Sequence, residues 1–288
     1  MLRIIAIATL ARSTLSAPWW HEKVVSFWYA PEGVFDPSAV ALVQQHLPEI
    51  TSVMSYCGID VRDDGTIISS FSEACSKLFP ALKALGVQTE IVTNSGNCSI
   101  DAFRRLWSDL TVSPRVLRDA VITANASGLN IDFEPQADNC AGAPTGTAAD
   151  AKLLSTWLAA VRAQLAPIGA RLTLDVASWS PVLAQYAVLA EGADRLLTME
   201  TYNGDSSADW TSSFSSFLAG TPLAQAGIGL GGWDDGKNSW WETAAAANFK
   251  VSAAKAANVP ELAVFRILPK KNPPWPLEFW WPALQTFL

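Results

Sequence analysis

A chain of 288 residues, half of them hydrophobic, can bury a large single core. Its formal net charge of −7 comes with few, scattered basic residues, so no Lys/Arg stripe marks a nucleic-acid partner. The 13 tryptophans are the compositional outlier: some must be core, and others suit a surface that stacks on flat apolar faces.

The segment from Met1 to Ala17 carries Arg3, an apolar run from Ile4 to Leu10 and then small residues. That is the pattern of a secretory signal cleaved near Ser16 or Ala17, leaving residues 18–288 as one catalytic domain. No later segment has the length and apolarity to span a membrane, so no membrane partner is expected. The protein is expected to be secreted, or lysosomal or vacuolar, and to act as a monomer.

Strand and helix patterns then alternate to the C-terminus. The predicted strands are Val24–Tyr29, Ser52–Tyr56, Gln88–Thr93, Leu129–Glu134, Arg171–Ala177, Arg195–Glu200, Ala226–Leu230 and Leu262–Ile267. Most are short and rich in Val, Ile and Leu, as strands covered on both faces should be. Amphipathic runs lie between them: Ala39–Leu47 after Asp36-Pro37-Ser38, Phe71–Leu85 ending at Gly86, Val116–Ala126, Ala148–Leu165, Ala208–Leu218 and Ala244–Ala257. Eight strand-then-helix units without a linker predict a single (β/α)8 TIM barrel. An open doubly wound sheet fits less well, because no G-x-G-x-x-G follows the first strand. The glycines of GIGLGGWDDG suit a backbone that packs closely or approaches a ligand. Trp280-Trp281-Pro282 is expected to seal the outside of the barrel.

The four cysteines, Cys57, Cys75, Cys98 and Cys140, lack metal-ligand spacing, and neither a metal nor a cofactor is implied. In a secreted chain they read as two disulfides. Barrel geometry favours Cys57–Cys75, bracketing the loop after the second strand. It also favours Cys98–Cys140, joining the loops after the third and fourth strands.

The fourth predicted strand lies in GLNIDFEPQ, where Leu129, Ile131 and Phe133 alternate with Asn130, Asp132 and Glu134. Successive strand side chains point to opposite faces. If the apolar set packs on the helices, the polar set points into the barrel, near the C-terminal strand ends where barrel enzymes hold their active sites. Two inward carboxyls are costly without a use or good partners. The alternative is a structural pair satisfied by an arginine such as Arg266. Residues two apart on a strand lie about 6.5 Å apart and share one face. Asp132 and Glu134 therefore approach a substrate from the same side. That does not suit a pair flanking a sugar from opposite faces. It suits one acid, Glu134, whose proton is kept by a neighbouring carboxyl while the nucleophile comes from elsewhere.

Ser127 to Glu134, SGLNIDFE, resembles the DxxDxDxE signature of the family 18 glycoside hydrolases, the chitinases and di-N-acetylchitobiases. The resemblance implies a substrate-assisted retaining mechanism on β-linked N-acetylglucosamine, in chitin oligosaccharides or an N-glycan core. It implies Glu134 as acid and then base, Asp132 as the residue that orients the substrate acetamide, and Asn130 as a substrate-side partner of Asp132. Thr198 to Asn203, TMETYN, resembles the family's M-x-Y-D/N segment with one extra residue, implying Tyr202 on the acetamide carbonyl and Asn203 on the sugar. Ser127 departs from the first acidic position of the signature. Phe265 stands where the family has a tryptophan floor. Tyr29 and Trp233 are further expected sugar contacts, and Trp28, Trp179 and Trp240-Trp241 also lie at or after strand ends. The departures keep a second reading open, a chitinase-like lectin that binds such oligosaccharides without cutting them.

Overall fold

The structure is a computed structural model and describes residues 18–29, 35–94, 99–135, 146–199, 207–231, 243–267 and 280–288. Its strands are β1 (Val24–Tyr29), β2 (Ser52–Val61), β3 (Ile67–Ser69), β4 (Gln88–Asn94), β5 (Gly128–Asp132), β6 (Arg171–Val176), β7 (Arg195–Thr198), β8 (Ala226–Gly231) and β9 (Glu261–Ile267). The order β1-β9-β8-β7-β6-β5-β4-β2 closes through a β1–β2 pairing, and every barrel pairing is parallel. This is the expected (β/α)8 barrel. β3 stands outside the ring, antiparallel to the extended end of β2, and forms a hairpin that the sequence pattern did not indicate.

The helices are α1 (Pro37–Gln45), α2 (Glu73–Ala84), α3 (Ile100–Ser108), α4 (Val112–Thr123), α5 (Ala148–Leu165), α6 (Tyr186–Ala190), α7 (Ser207–Gly220), α8 (Ala244–Ala256) and α9 (Trp280–Phe287). Outward strand residues such as Phe27, Ile91, Leu129, Ile131 and Phe133 meet helix residues such as Phe103, Trp107 and Trp157 in one continuous core. Burial of this apolar set is the main source of stability. α9 lies on this outer layer, as expected of the Trp280-Trp281 pair: Trp281 stacks on His46 at 3.7 Å and packs on Phe27 at 5.5 Å. Cys57 and Cys75 form a disulfide with Cα atoms 5.7 Å apart, tying β2 to the start of α2. The second expected pair, Cys98–Cys140, lies outside the described residues.

Inside the barrel the side chains form layers. At the N-terminal base, Arg171 of β6 pairs with Glu261 of β9 at 2.8 Å and with Glu90 of β4. Ser26 donates to Glu261 at 2.6 Å and Ser52 to Glu90 at 3.0 Å. Arg195 lies 3.6 Å from Glu261 and also donates to the Trp20 carbonyl, while the Trp19 ring covers the Arg171 guanidinium at 4.4 Å. Gly128 has no side chain because this network fills its place: a Cβ would sit 2.9 Å from Arg171 and 3.0 Å from Glu90. Above the base lies an apolar layer of Trp28, Met54, Val92, Leu197 and Ala263, with Phe265 against it.

Candidate active site

Above that apolar layer the C-terminal ends of β5 and β6 carry the acids. Ile131 and Phe133 are buried in the barrel–helix core, so the period-two geometry turns Asn130, Asp132 and Glu134 inward. Asp132 and Glu134 are each only partly buried, at the mouth, whereas Asn130 is fully buried beneath them. The Asp132 backbone N–H meets Thr93 Oγ1 at 3.4 Å, and the same hydroxyl reaches the Asn130 carbonyl at 3.3 Å, fixing the end of β5 against β4.

β6 repeats the pattern of β5. Leu172, Leu174 and Val176 face the helices, while Arg171, Thr173 and Asp175 face inward. Asp175 is buried on the strand beside β5 and completes an acidic cluster with Asp132 and Glu134. Asp175 is not among the residues the sequence motifs point to, although the Arg-x-Thr-x-Asp alternation carries the signal. Asn130 Nδ2 donates to Thr173 Oγ1 at 3.0 Å and to Asp175 Oδ1 at 3.1 Å. The expected bond from Asn130 to Asp132 is therefore replaced by one to the neighbouring strand.

Burial pushes the Asp132 carboxyl well above the usual carboxylate range, and the adjacent Glu134 pushes it further. Burial likewise raises Asp175, followed by repulsion from Asp132, while the Asn130 hydrogen bond opposes the rise. The barrel arginines with described side chains do not relieve this, because Arg171 and Arg195 are engaged with Glu90 and Glu261 at the base. The Arg266 side chain, the expected structural partner, lies outside the described residues. The cluster can therefore hold a proton above the ordinary carboxylate range and present it at the mouth of the barrel.

The aromatic expectations divide. Phe265 faces inward and meets the Trp28 ring edge-on at 5.9 Å, so the two form an apolar floor below the acids. Gly231, in register with Phe265, allows that strand to come close: a Cβ there would lie 2.1 Å from the Phe265 carbonyl oxygen. Tyr29 does not join them. Its ring is buried in the barrel–helix core, where burial raises its phenol pKa, and Trp28 takes the inward position one residue earlier. Tyr29, the expected sugar contact, thus lies on the helix side of β1 and Trp28 on the inner side, since alternation lets only one of the pair point inward. Tyr56, in register with Val92 on β4, also lies near the mouth and donates to Asp60 at 2.6 Å. Trp179, in the turn after β6, is about half exposed, at 48%. Tyr202, Asn203 and Trp233, with Trp240 and Trp241, lie outside the described residues. Among the described residues no group of three or more His, Cys, Asp or Glu is arranged to hold a metal ion.

Comparison with solved structures returns this architecture repeatedly. The chain is similar to a chitinase from Chromobacterium violaceum, with a TM-score of 0.71 and 14% identity over 92% of this chain and 98% of that one. It shares the fold of these chitinases. A second similar structure is the spore cortex-lytic enzyme SleL of Bacillus cereus, with a TM-score of 0.71 and 13% identity over 92% of this chain and 74% of that one. A third is a GH18 chitinase from Pseudoalteromonas aurantia, with a TM-score of 0.66 and 15% identity over 92% of this chain and the whole of that one. The sequence matches no protein-family model and no curated protein sequence. The likeness to the chitinase fold thus lies in the barrel, and what the site does rests on its own residues.

Proposed function

We propose that the protein is a glycoside hydrolase that cleaves β-linked N-acetylglucosamine, in chitin oligosaccharides or an N-glycan core, by a substrate-assisted retaining mechanism. The observation that carries this reading is the pair formed by Asp132, the last residue of β5, and Glu134, two residues beyond it, with Asp132 held above the normal carboxylate range beside Glu134. Glu134 protonates the leaving glycosidic oxygen. The acetamido oxygen of the bound sugar attacks its own anomeric carbon as that bond breaks, giving an oxazolinium ion. Asp132 accepts from the acetamide N–H and stabilises the positive charge that develops. Water then attacks the anomeric carbon from the side the leaving group vacated, with Glu134 taking its proton. Trp28 and Phe265 give the sugar an apolar floor, and Tyr202, Asn203 and Trp233 supply further contacts.

An oxidising compartment fits the Cys57–Cys75 disulfide, so a secreted, lysosomal or vacuolar setting and a monomeric state belong to the same proposal. The test compares a fluorogenic N,N′-diacetylchitobioside with its de-N-acetylated counterpart. The acetylated substrate is cleaved, the first product keeps the β-anomeric configuration, and the de-acetylated one is not cleaved. Equal cleavage of both overturns the substrate-assisted step. Binding of chitooligosaccharides without cleavage of either establishes the lectin instead.

A further inference from the structure

We propose that Asp175 is a positioning residue of the site: it shares one proton with Asp132 and so sets the direction in which the Asp132 carboxylate points. The inference rests on the hydrolase reading for its catalytic consequence, but the proton-sharing pair stands on geometry alone.

Three observations carry it. The first is register. β5 and β6 pair Asn130 with Thr173 and Ile131 with Leu174, so the next step along both strands sets Asp132 beside Asp175. Side chains in register on neighbouring parallel strands lie on the same face, and here that face is the barrel interior.

The second is hydrogen bonding. Asn130 Nδ2 is committed to Thr173 Oγ1 and Asp175 Oδ1. Asp132 Oδ1, Asp175 Oδ2 and Asn130 Oδ1 are all buried without a hydrogen-bond partner. A cluster of acceptors with no donor is costly. One proton between the two carboxyls supplies a donor and removes part of their mutual repulsion.

The third is the sequence itself. Position 130 carries an amide, and the buried carboxyl of the cluster comes from the neighbouring strand. The bond from Asn130 holds Asp175 in place. Asp175, 1% exposed, lies behind Asp132 and acts through it.

The groups acting on Asp175 are Asp132 at the end of β5, Glu134 two residues beyond it and Glu90 of β4, all carboxyls, with Asn130 as the hydrogen-bond donor. Arg171 on the same strand is turned to the base. With the proton on Asp175, Asp132 is a free carboxylate that can accept from the substrate acetamide N–H. With the proton on Asp132, the carboxyl is held toward Asp175. The proton moves between the two and is not consumed, so no co-reactant is required.

The test uses Asp175→Asn and Asp132→Asn in the full chain. At neutral pH the wild-type protein shows the infrared carbonyl band of a protonated carboxyl, and each substitution removes it. On the chitobioside, Asp175→Asn lowers kcat by roughly 10–100-fold with KM changed by less than about threefold, because the new amide holds Asp132 permanently. The acid limb of its pH profile moves to lower pH, since Asp132 then ionises without the Asp175 carboxyl beside it, leaving only Glu134 to oppose its charge. A band absent from wild type or unchanged in both variants overturns the shared proton. A lost band with wild-type kcat and pH profile overturns the positioning role. If wild type does not cleave the chitobioside, the hydrolase reading and the catalytic consequence fall together, while the infrared comparison still decides the pair.

Discussion

Asp132 and Asp175 make a prediction about stability that is independent of catalysis. Both carboxyls are raised in the folded protein, by burial and by neighbouring carboxyls. A raised acid stabilises the fold fully below its unfolded value, about 4, and that contribution is lost as pH rises through the folded value. Asp175→Asn should therefore gain Tm relative to wild type as pH increases from about 4 toward 8. A Tm difference that stays flat over that range contradicts the raised carboxyl. The acids of β5 were legible because GLNIDFE alternates cleanly between apolar and polar residues. Asp175 stands in an equally clean alternation, RLTLDV, but no motif marks it, and its place beside Asp132 follows only from the β5–β6 register. Tyr29 and Trp28 were ambiguous for a related reason: all six residues of β1 are buried, and sequence does not say which face of an all-buried strand looks inward.

At the scale of the element, α5 shows how sequence chemistry sets a boundary. Ala148–Leu165 has the bounds that its sequence predicts, and the start is fixed by a capping box. Thr147 N–H donates to Asp150 Oδ2 at 2.7 Å, and Arg104 of α3 clamps the same carboxylate through bonds of 2.8 and 2.9 Å. Led by Arg104, these partners hold the Asp150 carboxyl down to about 2. A lowered acid stabilises the fold above its unfolded value and loses that contribution as pH falls through the folded one. Asp150→Ala should cost about 1–2 kcal/mol at pH 7, read from denaturant midpoints, and the cost should vanish as pH approaches 2. A cost that persists at low pH would place the effect in packing. α3 itself was not legible. Its apolar face of Ile100, Phe103, Leu106 and Trp107 is opposed by Arg104-Arg105 as in an amphipathic helix, but it spans only nine residues, about two and a half turns, so the pattern is short. The β2–β3 hairpin escaped because β2 changes role midway. It is a barrel strand to Tyr56, and after a register shift between Tyr56 and Ile59 it also pairs with β3.

At the scale of the whole molecule the barrel was legible, because strands covered on both faces leave short apolar runs at regular intervals. What filled the barrel was not. Arg171, Glu90, Glu261, Ser26 and Ser52 come from five different strands and meet only once the ring closes. The network holds Arg171 and Arg195 at the base, away from the acids at the opposite end. Arg171→Met should strand two buried carboxylates and destabilise the fold by about 3–5 kcal/mol, measured by chemical denaturation. A loss below about 1 kcal/mol would mean that Arg195 or water replaces the missing charge.

The role proposed for Glu134, the acid of a hydrolase, is tested most directly by turnover of the fluorogenic N,N′-diacetylchitobioside by wild type and by Glu134→Gln at matched folding and matched affinity for chitooligosaccharides. Wild type should turn over, and the amide should lower kcat by at least about 10²–10⁴-fold while binding is retained. Turnover by Glu134→Gln within a few-fold of wild type would contradict the assignment of the acid.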